Sequence, residues 1–487
     1  MLAHLLPFLR LYARNGRTPK VAPRPSLEVT DAFMSIHRAT AHAVRRPRSL
    51  TDLCEAVRYA RAQGATVSIM GLGHSSDGQQ FCDGTVMLDV RGLDKVLAVD
   101  ELNGTTTVEA GVTWEQLVED LRGRNSKWGL HLKQTLVNRC TVGGSVSVNI
   151  HARKMNSPPL VHYVRAFTLV GADGEPRRCS REENAELFSL VVGGYGAFGV
   201  LYSVELVLQE VRNLERDPIP KVPFDDVCDL YMEKMEAGYV YGDAHSSARG
   251  IVENWAYMTM YKPAVDQSRI LPFKNTRTDR WLYAFGMYLL HTDHGFPWAV
   301  WKREIEKNGP FTTTDGCQFT SLGEYYEHIH DGVLELEGND MHVELQIDPK
   351  HYREVAAKMR EIVRPVQRWG TFCDLRFVRR DTETVLRYAV TDRFTMSPTF
   401  HLDRHNEAEL RPVWEELFDL VVHEYDGTFY LWDYFLGRPD HIRKAYPQLR
   451  EFLLKRREHD PDGVFSSLWL RKMEDLFLAG DLAETAK

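Results

Sequence analysis

Met70-Gly71-Leu72-Gly73-His74-Ser75-Ser76-Asp77-Gly78-Gln79-Gln80 is the stretch on which the fold turns. It follows Thr66-Val67-Ser68-Ile69-Met70, a β-rich run that reads as a strand. A strand entering small residues lets several backbone N–H groups converge on an anion. The segment is not the fingerprint of a doubly wound sheet, because Ser76 stands at the third glycine position. Two more strands, Val86-Met87-Leu88-Asp89-Val90 and Val96 to Val99, follow where a long helix would be required. Alone, the segment is either a phosphate cradle or an ordinary glycine-rich turn.

Working outward, Leu53, Val57, Tyr59 and Ala60 sit at helical spacing before Gly64, and Val112 to Leu121 repeats that period. Thr105 to Glu109, Val164 to Val170 and Gly199 to Leu208 read as strands. The chain through Leu208 is therefore α+β with local pairings. Two further glycine segments lie inside it: Cys140-Thr141-Val142-Gly143-Gly144-Ser145 running on to His151, and Gly193-Gly194-Tyr195-Gly196-Ala197-Phe198-Gly199-Val200. Adjacent glycines permit close backbone approach to a flat ligand, and Thr, Ser and Asn supply short hydrogen-bonding groups. Three such segments in one α+β unit point to a backbone wrapped around an extended dinucleotide.

The Pro-containing stretch Pro218 to Pro223 reads as a domain boundary. Beyond it, residues 340 to 347 alternate as a half-buried strand and Tyr352 to Val363 is an amphipathic helix. Thr371 to Val378 and Val385 to Val390 read as strands, which predicts an antiparallel sheet with helices on one face. The chain has 487 residues, 43% hydrophobic and 26% charged, which requires several folded domains and excludes wholesale disorder. With 60 basic and 68 acidic side chains the net charge is −8, so no broad cationic field favours nucleic acid. The 7 cysteines are scattered without a C-x-x-C pair, which fits a reducing, cytoplasmic setting. Leu2 to Ala13 is interrupted by His4, Pro7 and Arg10 and reads as a docking segment, not a secretory signal.

Gly71-Leu72-Gly73-His74-Ser75, Thr141-Val142-Gly143-Gly144 with Asn149-Ile150-His151, and Gly193-Gly194 through Gly199 together resemble the FAD-linked oxidases of the vanillyl-alcohol oxidase type. Leu88-Asp89, Val108-Glu109-Ala110-Gly111 and Ala172-Asp173-Gly174 fall between them in the matching order. The nearest likenesses in this PCMH-type superfamily are the alditol and aldonolactone oxidases and decaprenylphosphoryl-ribose oxidase. The resemblance spans residues 40 to 210 and returns in 340 to 470. It implies an α+β fold: an FAD-binding domain of two subdomains over 38–215, a cap over 216–432, a C-terminal segment 433–487 completing the FAD domain, and the docking segment 1–37. It implies FAD held by Met70, Gly71, Leu72, Gly73, His74, Ser75, Gly78, Gln79, Leu136, Thr141, Val142, Gly143, Gly144, Val148, Asn149, His151 and Val200. A His in the Gly-x-Gly-His-Ser loop further implies a covalent bond between His74 and the flavin.

The implied chemistry is hydride removal from an alcohol carbon, with dioxygen or another acceptor taking the electrons. Alkene reduction or cyclisation, or a degenerate flavin fold used only for binding, are the alternatives. Where alditol oxidases keep a Lys near the flavin, this chain has Asp433, a candidate general base, after Tyr430. Asp374 and Arg376 share one strand face and either bind a polyol or pair with each other. His401 either lines the pocket or is structural. No metal site is expected: His342-Val343-Glu344, His328-Ile329-His330 and the His401 to His405 run each lack a placed third ligand. The aromatic run 281–301 is either cap core or an apolar lid that touches a membrane surface or a second copy.

Overall fold

A computed structural model describes residues 27–31, 37–134, 139–273, 309–319, 339–402 and 405–485. The docking segment through residue 26, Leu136, the run 281–301, His328-Ile329-His330 and Asp403-Arg404 lie outside the described residues.

Among the described residues the N-terminal half holds a two-stranded antiparallel pair, Glu28–Thr30 with Arg38–Thr40, and two larger sheets, one parallel and one antiparallel. In the smaller of these two, Ala43–Arg45, Val86–Asp89 and Val67–Met70 are parallel, with Val86–Asp89 in the centre. The helix Leu50–Ala62 packs on it through Leu53, Val57 and Ala60, the spacing that predicted it. Ser49 caps that helix by accepting from the Asp52 N–H at 3.1 Å. The larger sheet is antiparallel in the order Pro176–Ser180, Val164–Val170, Val200–Glu210, Thr105–Glu109, Val96–Asp100, and Trp128–Leu130 pairs with the far end of Val200–Glu210. The C-terminal segment returns here. Val67 N–H donates to Val464 O at 2.6 Å, Ser466 N–H donates to Val67 O at 2.8 Å, and Val464 and Phe465 enter the same core.

The second half is built on one large antiparallel sheet. Its order is Phe311–Thr313, Asn213–Val222, Ala256–Pro263, Tyr241–Ser246, Gly370–Val378, Arg393–Leu402, Leu345–Ile347, Thr428–Phe429, with Asn339–His342 also on Arg393–Leu402. Every residue of Gly370–Val378 is buried, so this strand is covered on both faces. The helix Tyr352–Val363 meets the neighbouring strand Arg393–Leu402, the Tyr352 ring 4.9 Å from that of Phe394, and buries Val355, Ala356 and Met359.

Three expectations are corrected. Pro218 to Pro223 is no boundary: Pro218 and Pro220 lie inside the strand Asn213–Val222, where Phe311–Thr313 pairs with the first three residues, Arg216 N–H donates to Pro310 O at 2.8 Å, and among the described residues no strand pairs with the outer edge beyond. The crossing between halves comes earlier, between Glu210 and Asn213. Residues 340–347 are two buried strands broken at Val343-Glu344, not one half-buried strand. Val385 to Val390 forms no strand. Asp381 Oδ1 accepts from the Glu383 and Thr384 N–H groups, and this turn sends the loop back to the first half, where Val385 N–H meets Ser189 O at 3.1 Å.

Candidate active site

The three glycine segments converge on one groove of about 1090 Å³, open to solvent. They approach so closely that side chains would collide. A Cβ on Gly71 would lie 2.5 Å from Thr141 Oγ1, and one on Gly143 would lie 2.7 Å from Ala110 Cβ. The first loop is pinned from the second half of the chain: Ser76 N–H donates to Trp432 O at 3.0 Å and Gln79 Nε2 to Leu431 O at 2.8 Å. Among the described residues the N–H groups of Leu72, Gly73 and Ser75 have no backbone acceptor, although the loop lines the groove. A long groove with unclaimed backbone donors fits the phosphates and flat ring of a dinucleotide.

A smaller space of about 300 Å³ adjoins it, and Gln134, Ile150, Tyr430 and Trp432 line both. Its other walls are polar: His151, His342, Glu344 and Arg376. The break at Val343-Glu344 aims the Glu344 carboxylate there, because its own N–H goes to Asp433 Oδ2 (2.9 Å) and its carbonyl to Tyr430 N–H (3.0 Å). His151 Nε2 lies 2.8 and 3.0 Å from the two Glu344 oxygens. Burial opposes ionisation of Glu344, but His151 and, more weakly, Arg376 outweigh it and hold the carboxyl below its usual range. His151 therefore donates from Nε2, and among the described residues its buried Nδ1 has no hydrogen-bond partner. Burial pushes His342 down to about 4, so it is neutral near pH 7. Burial also lowers Arg376, which pairs with Asp374.

The structure brings many of the sequence-derived residues together. Gly71, Leu72, Gly73, His74, Ser75, Gln79, Thr141, Gly143, Gly144 and Val148 line the groove, and His74 Nδ1 lies 3.8 Å from Cys140 Sγ. Others stand elsewhere. Val142 and Val200 are fully buried behind the groove, Met70 closes its strand beside Asp89, and Gly78 packs against Leu468. Asn149 ties the halves together, donating to Asp381 Oδ2 at 2.9 Å and accepting from Val161 N–H. His151 faces the polar pocket, not the groove.

Of the four proposed catalytic residues, Tyr430 and Arg376 reach the pocket. The Tyr430 hydroxyl is committed to Val148 O at 2.5 Å. Asp374 sits behind Arg376, against His245. Asp433 lines a separate small void beside Val343 and Trp469, and burial raises its carboxyl well above the usual range, so it is neutral. His401 is paired with Asp340 at 3.3 Å. Sequence reading weighed His342 and Glu344 only as metal ligands. Their signal was the alternation of Asp340, His342, Glu344 and Gln346 with apolar residues, which puts the polar side chains on one face, although that face is buried.

Two side-chain clusters have metal-like spacing, Asp243, His245 and Asp374, and Asp419, His423, Asp440 and His441. Guanidinium groups already pair with the carboxylates of both: Arg153 and Arg376 in the first, Arg438 in the second. Among the described residues no helix is long and apolar enough to cross a membrane.

Comparison with known proteins fits this geometry. Residues 41–180 match the FAD binding domain family, and residues 339–473 match the family described as D-arabinono-1,4-lactone oxidase. L-gulonolactone oxidase of Mus musculus is 29% identical over 50% of this chain and 52% of its own length. That of Scyliorhinus torazame is 21% identical over 88% and 93%. An uncharacterized oxidoreductase, ORF5 in the fasciation locus of Rhodococcoides fascians, is 34% identical over 33% and 36%. The chain thus spans about half or less of the first curated relatives it matches. A groove shaped for a dinucleotide, followed in the chain by a segment similar to the lactone oxidases whose residues wall the adjoining pocket, makes this chain similar to the FAD-linked oxidases of the vanillyl-alcohol oxidase type.

Proposed function

We propose that the protein is an FAD-dependent oxidoreductase that removes hydride from an alcohol carbon of a small polyhydroxylated substrate, a sugar lactone or polyol. The observation that carries this reading is the polar pocket that shares Gln134, Ile150, Tyr430 and Trp432 with the dinucleotide groove. Bound FAD supplies a two-electron acceptor for the hydride. The residues of the chain handle the rest. Arg376 orients a substrate oxygen and stabilises negative charge that develops on it. The hydroxyl proton passes to His151 Nδ1, whose ring is oriented by the Nε2–H bond to Glu344. Trp432 and Tyr430 present apolar faces that keep water from the reacting carbon. The lactone oxidases among the relatives support the substrate class.

We also propose that His74, which lines the groove, is bonded to the flavin: the imidazole N–H and the ring methyl each give up a proton as the C–N bond forms, and the two electrons left on the flavin pass to dioxygen or another acceptor. One preparation tests both ideas. Anaerobic mixing with sugar lactones, polyols and apolar alcohols should bleach the flavin with the polar donors, and admitted oxygen reports whether dioxygen restores the colour. Acid precipitation should leave the yellow colour in the pellet, with one FAD mass on the His74 peptide. No bleaching by any alcohol would refute the activity, and flavin wholly in the supernatant would refute the bond.

A further inference from the structure

The pocket wall at Arg376 continues inward as a run of buried charge, of which the proposed reaction uses Arg376 alone. Arg376 pairs with Asp374, and Asp374 faces His245 across paired strands, its Oδ1 3.2 Å from His245 Nδ1. His245 Nε2 lies 3.1 Å from Asp243 Oδ2. Asp243 pairs in turn with Arg153, whose Nη1 donates to the Cys317 carbonyl at 2.9 Å. Arg153 is two residues beyond His151 in the chain, while its guanidinium lies away from the pocket against Asp243 and the Cys317 carbonyl. None of its five side chains is more than 5% exposed.

Counting Glu344, the set holds three carboxylates (Asp243, Asp374, Glu344) against two guanidinium groups (Arg153, Arg376). An uncompensated buried charge costs several kcal/mol, so one proton belongs within the set. The other titratable groups nearby do not supply it. Burial raises the Tyr231 hydroxyl and the Cys317 thiol, raises the Cys373 thiol to about 12, and keeps His342 neutral. Two imidazoles remain. His151 touches one carboxylate, whereas His245 has a carboxylate oxygen within 3.2 Å of each ring nitrogen, the Nδ1 contact to Asp374 being an ion-pair distance without hydrogen-bond geometry. Burial opposes a charge on Asp243, yet Arg153 and His245 together hold it ionised. We infer that His245 is a positioning residue that holds the balancing proton between Asp243 and Asp374, which leaves His151 Nδ1 with a lone pair for the substrate proton.

The role of His151 rests on the function proposed above; the position of the proton does not. Nitrogen NMR of the FAD-loaded, ¹⁵N-histidine-labelled protein between about pH 6 and 8 should show His245 protonated on both nitrogens and His151 only on Nε2. His245→Gln and His151→Gln assign the two signals. A singly protonated His245 at neutral pH overturns the inference whatever the activity. In kinetics, His245→Gln forces the proton onto His151 and should move the acidic limb of kcat/KM upward by about one pH unit, about tenfold in rate on that limb. Adding Asp243→Asn removes the surplus anion and should return the limb. If the single and double variants lose thermal stability with the limb unmoved, the residue is merely structural and the inference fails. Should His245→Gln not fold, the wild-type spectrum and that of Asp243→Asn, which must release the proton from His245, decide alone.

Discussion

Glu344 and Asp433 share one hydrogen bond, from the Glu344 N–H to Asp433 Oδ2, yet they hold opposite protonation states. Burial raises Asp433 without an opposing cation, whereas His151 and Arg376 offset burial at Glu344. Glu344→Gln leaves the size of the side chain and one accepting oxygen unchanged but removes the negative charge that would stabilise His151 once it takes the substrate proton, so flavin reduction should slow by about 10²- to 10⁴-fold. Asp433→Asn replaces a neutral group by a neutral group and should keep the rate within a few fold. Stopped-flow bleaching measures both, and a large loss confined to Asp433→Asn would reverse the assignment. The motif position of Asp433 was legible in the sequence. That a strand break 89 residues earlier turns Glu344 into the pocket was not, because pairwise spacing carries no information about where a ladder is interrupted.

Local period was a faithful guide to single elements and a poor one to how they are covered. Tyr352–Val363 and Leu50–Ala62 are helices where the apolar spacing put them. The 340–347 stretch and Val385 to Val390 failed for different reasons. In the first, polar residues that alternate as if facing water face a buried pocket, and in the second an Asx turn at Asp381 takes the chain out of the sheet. The glycine segments were legible because close backbone approach leaves a mark in composition. That reading makes a prediction. Gly143→Ala would set a Cβ 2.9 Å from the Ala110 carbonyl as well as against its Cβ, and relief requires a shift of the groove wall. We expect a loss of about 1–3 kcal/mol together with lowered FAD retention. Gly84→Ala, at φ 72° with no atom within 4 Å of the new Cβ, should cost about 1–2 kcal/mol from backbone strain and leave FAD content unchanged. Thermal melts and the ratio of flavin to protein absorbance separate the two.

At the scale of the whole molecule, the two halves meet through buried polar joints, and one of them makes stability depend on pH. Asp315, in the turn after Phe311–Thr313, accepts from Leu130 N–H at 2.8 Å, while Gln318 accepts from Lys133 N–H at the same distance. The Arg122 guanidinium is 3.6 Å away, too far for a hydrogen bond. Burial consequently pushes the Asp315 carboxyl up to about 6, against the weaker lowering by Arg122 and the Leu130 N–H. Its folded-state value exceeds the unfolded one, so the native state binds more protons between about pH 4 and 6. Stability is therefore full below that window and is lost as pH rises through it, by about 3 kcal/mol once the group is ionised. Asp315→Asn keeps the acceptor for Leu130 and removes the charge. Its melting temperature should exceed that of the wild type at pH 8, and the gap should close as pH falls toward 4. A gap independent of pH would show that Asp315 is not the group responsible. The same joint anchors the segment ending at Gln134, which lines both groove and pocket. Relief of the buried charge should therefore also raise the fraction of protein that retains FAD on dilution at pH 8.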